Sequence, residues 1–136
     1  MPVSKVSYVD IKVSNRAGTA AQVLGAMADA GVNLLAFTGF PDKGGRSQLD
    51  LVTKEVGRAR AVARKKGWKA SATKKGFLIQ GKDEVGAVHR HLRKLARHRV
   101  NITAVDAVVA GKRRFGAILW VKSKDYARAA RALGAR

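Results

Sequence analysis

The chain has 136 residues, 46% of them hydrophobic, with 28 Lys/Arg against 9 Asp/Glu and a net charge of +19. It contains no cysteine, which excludes disulfides and thiol chemistry, and no apolar run approaches the roughly 20 residues that span a bilayer. That length suits one ordinary domain or two very small ones sharing a core, and without a signal-peptide pattern a cytoplasmic location is expected.

Residues 3–13 alternate as a strand should, with Val9, Ile11 and Val13 on one face and Tyr8, Asp10 and Lys12 on the other. Residues 14–18 read as a loop and 19–30 as a helix with Ala20, Leu24, Met27 and Ala28 on its apolar stripe. Gly31 ends that helix. Strands at 33–40 and 48–53 flank a glycine-rich hairpin loop at 41–45. A helix at 56–66 stops at Gly67, and 68–73 reads as a short strand. A strand at 76–81 and a helix at 85–97 follow, the latter with Leu92, Leu95 and Ala96 on its apolar face. Strands at 102–109 and 115–121 surround a hairpin at 111–114, and a last helix covers 125–133. Lys74-Lys75-Gly76 reads as a tight turn with Gly76 left-handed, which would let 68–73 pair with both neighbouring strands in one seven-stranded sheet.

The second half restates the first at a spacing of 68 residues without a gap. Asn15-Arg16-Ala17-Gly18 is echoed by Asp83-Glu84-Val85-Gly86, Val32-Asn33-Leu34 by Val100-Asn101-Ile102, and Arg46 and Leu51 by Arg114 and Leu119. A period this long indicates duplicated small domains rather than a solenoid. The expected fold is therefore α+β: two ferredoxin-like βαββαβ modules in tandem, residues 1–73 and 74–136, each an antiparallel sheet with helices on one face and strand order 4-1-3-2. The second module lacks an evident last strand. Its strand at 77–80 is left with an open edge, and self-association as a homodimer is expected.

Asn15-Arg16-Ala17-Gly18-Thr19, with Val32-Asn33-Leu34 after the helix, resembles the signature of the ACT domain. There a polar-x-Pro-Gly segment opens the first helix, and a small residue followed by Val/Ile-Asn-Ile opens the second strand. Both halves depart from it at the proline, with Ala17 and Val85, and the second has Arg99 where Gly31 stands. The resemblance implies a regulatory module that binds an amino acid or similar small effector at module interfaces and acts on a partner enzyme or transcription factor. It implies ligand-contacting residues at Asn15, Arg16, Ala17, Gly18, Thr19, Asn33 and Leu34, and at Asp83, Val85, Gly86, Asn101 and Ile102. Elementary chemistry agrees: a strand–loop–helix junction exposes backbone N–H groups to an anion, and glycine allows close approach. Helix capping by Asn15 and Asp83 is the plain structural alternative.

Charge supplies the rival function. Residues 1–68 hold 11 Lys/Arg against 5 Asp/Glu, residues 69–136 hold 17 against 4. Arg90, Arg93, Lys94 and Arg97 follow helical spacing, and Lys112, Arg113 and Arg114 form a basic hairpin, so the alternative is a basic ferredoxin-like nucleic-acid-binding or adaptor protein without effector. Arg113–Trp120 resembles an RNA-recognition pattern, but register puts Phe115 on the core side, against base stacking. His89, His91 and His98 lack the spacing of helix metal ligands, so no metal or other cofactor is expected. The nine carboxylates are scattered, and no enzyme activity is expected.

Overall fold

A computed structural model describes residues 2–136. Its elements are β1 (Val3–Ser14), α1 (Thr19–Asp29), β2 (Leu34–Asp42), β3 (Arg46–Thr53), α2 (Val56–Lys66), β4 (Lys69–Ala70), β5 (Lys74–Lys82), α3 (Ala87–Arg97), β6 (Ile102–Gly111), β7 (Arg114–Val121) and α4 (Tyr126–Leu133), the last preceded by a 3-10 turn over Ser123–Asp125. The architecture is α+β and ferredoxin-like. The chain divides into an N-terminal unit, residues 7–74, and a C-terminal unit, residues 75–136 with residues 2–6.

In the N-terminal unit β1 pairs antiparallel with β3 and with β4, and β3 pairs with β2, giving the order β4-β1-β3-β2. Alternation along β1 sends Val9, Ile11 and Val13 into a core with Leu49 and Leu51 of β3, Val23 and Met27 of α1, and Ala59 and Ala63 of α2. Small residues on α2 let that helix lie close to the sheet. The face of α1 is rotated from the sequence expectation: Val23 and Met27 are its buried residues, while Ala20 and Ala28 are exposed. Alanine is apolar enough to fit either face, so the larger Val23 decides which stripe turns inward.

The C-terminal unit has β5 paired antiparallel with β7, and β7 with β6. The strand expected to be missing is supplied by the first residues of β1, the neighbour of β5 in the sheet. Val3 accordingly belongs to the core of Phe77, Ile79, Leu95, Phe115, Leu119, Ala129 and Leu133, and the Arg136 N–H donates to the Val3 carbonyl at 2.9 Å. The open edge expected at residues 77–80 is thus occupied. The Phe77 ring stacks on Tyr126 at 4.6 Å between centroids. On α3 the buried residues are Ala87, His91 and Leu95, with Leu92 half-buried and Ala96 exposed.

The turn expected at Lys74-Lys75-Gly76 is absent: β5 begins at Lys74, and β4 pairs with β1 rather than with both neighbours. Gly76 is not left-handed. A Cβ there would meet the Leu119 carbonyl oxygen at 3.3 Å and the Trp120 ring at 3.4 Å, so this glycine serves close approach inside a sheet.

The repeat survives at the level of individual backbone bonds. Val32 N–H donates to the Met27 carbonyl at 2.9 Å, and Val100 to Leu95 at 3.0 Å, closing α1 and α3 alike. Gly31 (φ 74°) takes the left-handed turn after α1, and Arg99 (φ 55°) takes it after α3. Gly44 and Gly45 (φ 68° and 69°) make the first hairpin, whereas Lys112 and Arg113 (φ 51° and 58°) make the second. For a residue with a Cβ this conformation costs about 1–2 kcal/mol.

Two outcomes follow from the C-terminal core. Truncation of Val3 to alanine removes a fully packed side chain and should lower unfolding stability by about 1–3 kcal/mol in urea titrations, as for a central core position. His91 stands where the repeat has Val23, and its buried Nδ1 has no hydrogen-bond partner among the described residues. Burial, reinforced by Lys94, holds its pKa below the usual 6.5. As pH falls through about 6.5 the unfolded chain takes up a proton that the folded core resists, so stability declines, by at most about 1.4 kcal/mol per pH unit. In His91→Val that decline should vanish from melting curves between pH 8 and 5.

Candidate functional site

Each unit has a sharp elbow between its first full strand and its first helix. In the N-terminal unit the Asn15 N–H donates to the Gly45 carbonyl at 2.8 Å, tying the loop to the β2–β3 hairpin. The Thr19 N–H donates to the Arg16 carbonyl at 3.2 Å, and Gln22 N–H to the Gly18 carbonyl at 3.0 Å. Gly18, at φ 88°, is the helix N-cap; no side chain caps α1 and no acidic residue occupies its first turn. The positive end of the helix dipole is therefore unopposed by the protein's own carboxylates. Asn15 does not cap the helix; its Oδ1 accepts from Ser47 Oγ at 2.9 Å, a second tie to β3.

A cleft of about 360 Å³ opens at this elbow. Asn15, Arg16, Thr19 and Ala20 form one side, Phe37, Gly39, Phe40 and Pro41 of β2 another, and Ser47 and Leu49 of β3 the floor, with Val13 and Ser14 completing it. Phe37 and Phe40 remain 38% and 43% exposed, so the cleft offers apolar walls beside an anion-attracting corner.

The second elbow repeats the geometry. Asp83 N–H donates to the Arg113 carbonyl at 2.8 Å, Ala87 to Glu84 at 3.1 Å and Arg90 to Gly86 at 3.1 Å, each bond 68 residues from its counterpart. Gly86, at φ 78°, is the N-cap of α3, again without a side-chain cap, so Asp83 does not cap either. The adjoining cleft, about 260 Å³, is lined by Asp83, Glu84, Gly86, Ala87, Val88 and His89 with Ala107, Val108, Val109 and Phe115. Its chemistry differs: two carboxylates flank it, one held in an ion pair with Arg90, where the first cleft has Asn15 and Arg16.

Of the residues named from sequence, Asn15, Arg16 and Thr19 line the first cleft, and Ala17 and Gly18 belong to its elbow without lining it. Asp83 and Gly86 line the second, while Val85 points away, 100% exposed. Asn33 just precedes β2 and Leu34 begins it, at the far end of α1, about 16 Å of helix away. There the Asn33 carbonyl accepts from Thr53 Oγ1 at 2.7 Å, a structural role. Asn101 and Ile102 sit likewise beyond the end of α3. The β2 residues Phe37, Phe40 and Pro41 and their counterparts in β6 were not singled out from sequence, although apolar residues next to a turn carried the signal.

The other polar clusters are self-contained. Lys74 Nζ lies 2.6 Å from Asp10 Oδ2, and Asp10 is the cross-strand partner of Asp50, whose Oδ1 accepts from Gln48 Nε2 at 3.0 Å. Burial raises the Asp50 pKa, and the Tyr8 phenol is pushed up to about 12, first by burial and then by Asp50 and Asp10. Among the described residues no three His, Asp or Glu side chains converge as a metal site. His98 Nδ1 instead meets the Lys94 carbonyl at 2.8 Å. Phe115 and Ala117 lie in the helix-side core and offer no base-stacking platform.

Against this geometry, comparisons with known proteins agree on the fold. Residues 7–66, nearly the whole N-terminal unit, match the family model of the ACT domain. The fold is similar to that of a Bacteroides thetaiotaomicron protein, with a TM-score of 0.82 at 15% identity over 97% of this chain and 88% of that one. It is also similar to the regulatory subunit of aspartate kinase from Thermus thermophilus in its ligand-free form, at TM-score 0.67, 17% identity, and coverage of 98% and 95%. The corresponding Thermus flavus subunit aligns at TM-score 0.58, 16% identity, and coverage of 98% and 95%. At such identities the likeness is one of fold. No curated protein sequence matches the chain.

The raised pKa of Asp50 has a direct test. The folded state resists losing that proton, so stability falls as pH climbs from the ordinary carboxylate value near 3.8 through the raised one. Asp50→Asn keeps an acceptor for Gln48 and should melt higher than the wild type at pH 7, with the advantage gone at pH 4.

Proposed function

We propose that this protein is a regulatory module whose N-terminal cleft binds a small carboxylate-bearing effector, an amino acid, and that it controls a partner protein without chemistry of its own. The observation that carries the reading is the uncapped, acid-free start of α1 facing a cleft with apolar walls, within the segment that matches the ACT domain. The effector's carboxylate meets the helix-start amides and the Arg16 guanidinium, its ammonium meets the Asn15 amide oxygen, and its side chain rests on Phe37 and Phe40. A volume near 360 Å³ suits one such molecule.

The two exposed phenylalanines also fit a surface that a second chain covers, so effector binding and homodimer formation are coupled in this reading. The C-terminal cleft is smaller and carries Asp83 and Glu84, which repel a carboxylate. We assign effector binding to the first cleft. The aspartate kinase regulatory subunits supply a precedent for such a fold as a control element, and the partner here is an enzyme or a transcription factor.

Thermal-shift measurements with each of the twenty amino acids at millimolar concentration test it. A ligand at 100 times its dissociation constant adds about 2.7 kcal/mol, a shift of several degrees. The exposed Arg16→Glu variant should lose at least tenfold in affinity, and Asp83→Ala should retain the shift. If no amino acid moves the melting temperature, the effector reading fails.

A further inference from the structure

We propose that the C-terminal unit carries a nucleic-acid-docking surface running from the β6–β7 hairpin tip along the exposed side of α3. This goes beyond effector binding and uses none of the residues of the first cleft.

Among the described residues only Arg99, Lys112 and Arg113 combine a side chain with a positive φ, and all three are basic. Each stands 68 residues after a glycine in the same conformation, namely Gly31, Gly44 and Gly45. The backbone geometry is shared, so the turns themselves do not call for a cation; glycine serves them with less strain in the first half. A uniformly basic composition would place Lys and Arg mainly where a Cβ is tolerated. Here the strain has been accepted three times, each time to carry a positive charge, and strained positions of this kind mark functional surfaces.

The charges are also unsatisfied within the protein. Lys112, Arg113 and Arg114 are exposed, and no ion pair among the described residues neutralises them. Lys82 is the direct cross-strand partner of Arg114, a like-charge juxtaposition that is unfavourable without an external anion. The Asp83–Arg113 backbone bond sets this tip beside the start of α3. From there Arg93 and Arg97 lie exposed along the helix away from the buried Ala87, His91 and Leu95, exposed Lys94 flanks that buried face, and Arg99 follows the helix end. Arg90 contributes less, being paired with Glu84.

Eleven helical residues rise about 16 Å, the distance covered by about five phosphates of one strand at 3.4 Å each. A linear polyphosphate backbone matches this row better than a single small anion does. No aromatic side chain is exposed among these cations, and Phe115 is buried, so the contact reads phosphates and not bases.

Fluorescence anisotropy with the full chain, a 20-nucleotide random RNA and a random DNA duplex, between 50 and 200 mM salt, tests the proposal. The triple variant Arg99→Gly, Lys112→Gly, Arg113→Gly installs the residues the first half already uses, so it should melt at a higher temperature than the wild type. Its affinity should fall at least tenfold at 50 mM salt, and the slope of log K against log salt should flatten by about two to three. Arg93→Ala with Arg97→Ala should weaken RNA and DNA binding alike. Wild-type binding to neither probe, binding only to anionic vesicles, or a triple variant that folds and binds as tightly as the wild type would each overturn the proposal.

Discussion

The donation from the Asn15 amide to the Gly45 carbonyl fixes how far the elbow stands from the β2–β3 hairpin, and that distance is the width of the cleft. The same bond recurs from Asp83 to Arg113 with the same 2.8 Å length. A strand can only be left abruptly for a helix if one residue turns left-handed, and Gly18 and Gly86 do so. Once that turn is made, Thr19 and Ala87 give their amides to the Arg16 and Glu84 carbonyls of the loop, and the next two amides of each helix have no intrahelical acceptor. Binding potential at this corner is thus a by-product of the backbone geometry. What the surrounding residues decide is which charge the corner accepts.

That decision differs between the halves, although their backbone bonds correspond at the elbow and at the end of the first helix. Arg16 becomes Glu84, Asn15 becomes Asp83, and Phe37 and Phe40 become Val105 and Val108. Hydrogen bonds between main-chain groups tolerate such exchanges, since no side chain takes part in them. Side-chain chemistry is free to diverge wherever it is exposed, and even the core admits His91 in place of Val23 at the cost of an unpaired buried nitrogen. One repeated frame thus carries two different surfaces.

The frame was legible because its signals are local and occur twice. Left-handed glycines, period-2 strands and helix stops at residue spacings of 68 placed nearly every element of both halves within a few residues. The partner of β5 was not legible. Alternation along residues 3–13 reveals which face of β1 is apolar, not which neighbour each end of a long strand meets, so Val3 fell within the expected first module, 1–73, and packs in the core of the C-terminal unit. Gly76 failed for a related reason: a glycine needed for close approach to Leu119 and Trp120 looks in sequence like one needed for a turn. Asn33 and Asn101 stand beside the elbow in the family signature but a helix length away in space, because the helix between them runs its full course before the next strand begins. The β2 wall of the cleft was missed since its residues are contributed by the hairpin's end, 22–26 residues downstream of Asn15, and only the sheet register brings them back.

Electrostatics separates the two proposed activities. A field summed over 28 basic residues reaches beyond the surface but is screened within about 8 Å at physiological ionic strength. Hydrogen bonds from helix-start amides to an effector, as proposed for the first cleft, would act over contact distances and be weakened far less by salt. Self-association of a chain carrying +19 is opposed by that same long-range field, and a bound polyanion lowers the opposition. If both proposals hold, a polyanion on the C-terminal unit would favour self-association through charge neutralisation, and an effector in the N-terminal cleft would favour it through the covering of Phe37 and Phe40. The two proposed ligands would then act on one association equilibrium by different forces, so raising the salt concentration would weaken the first contribution and leave the second in place.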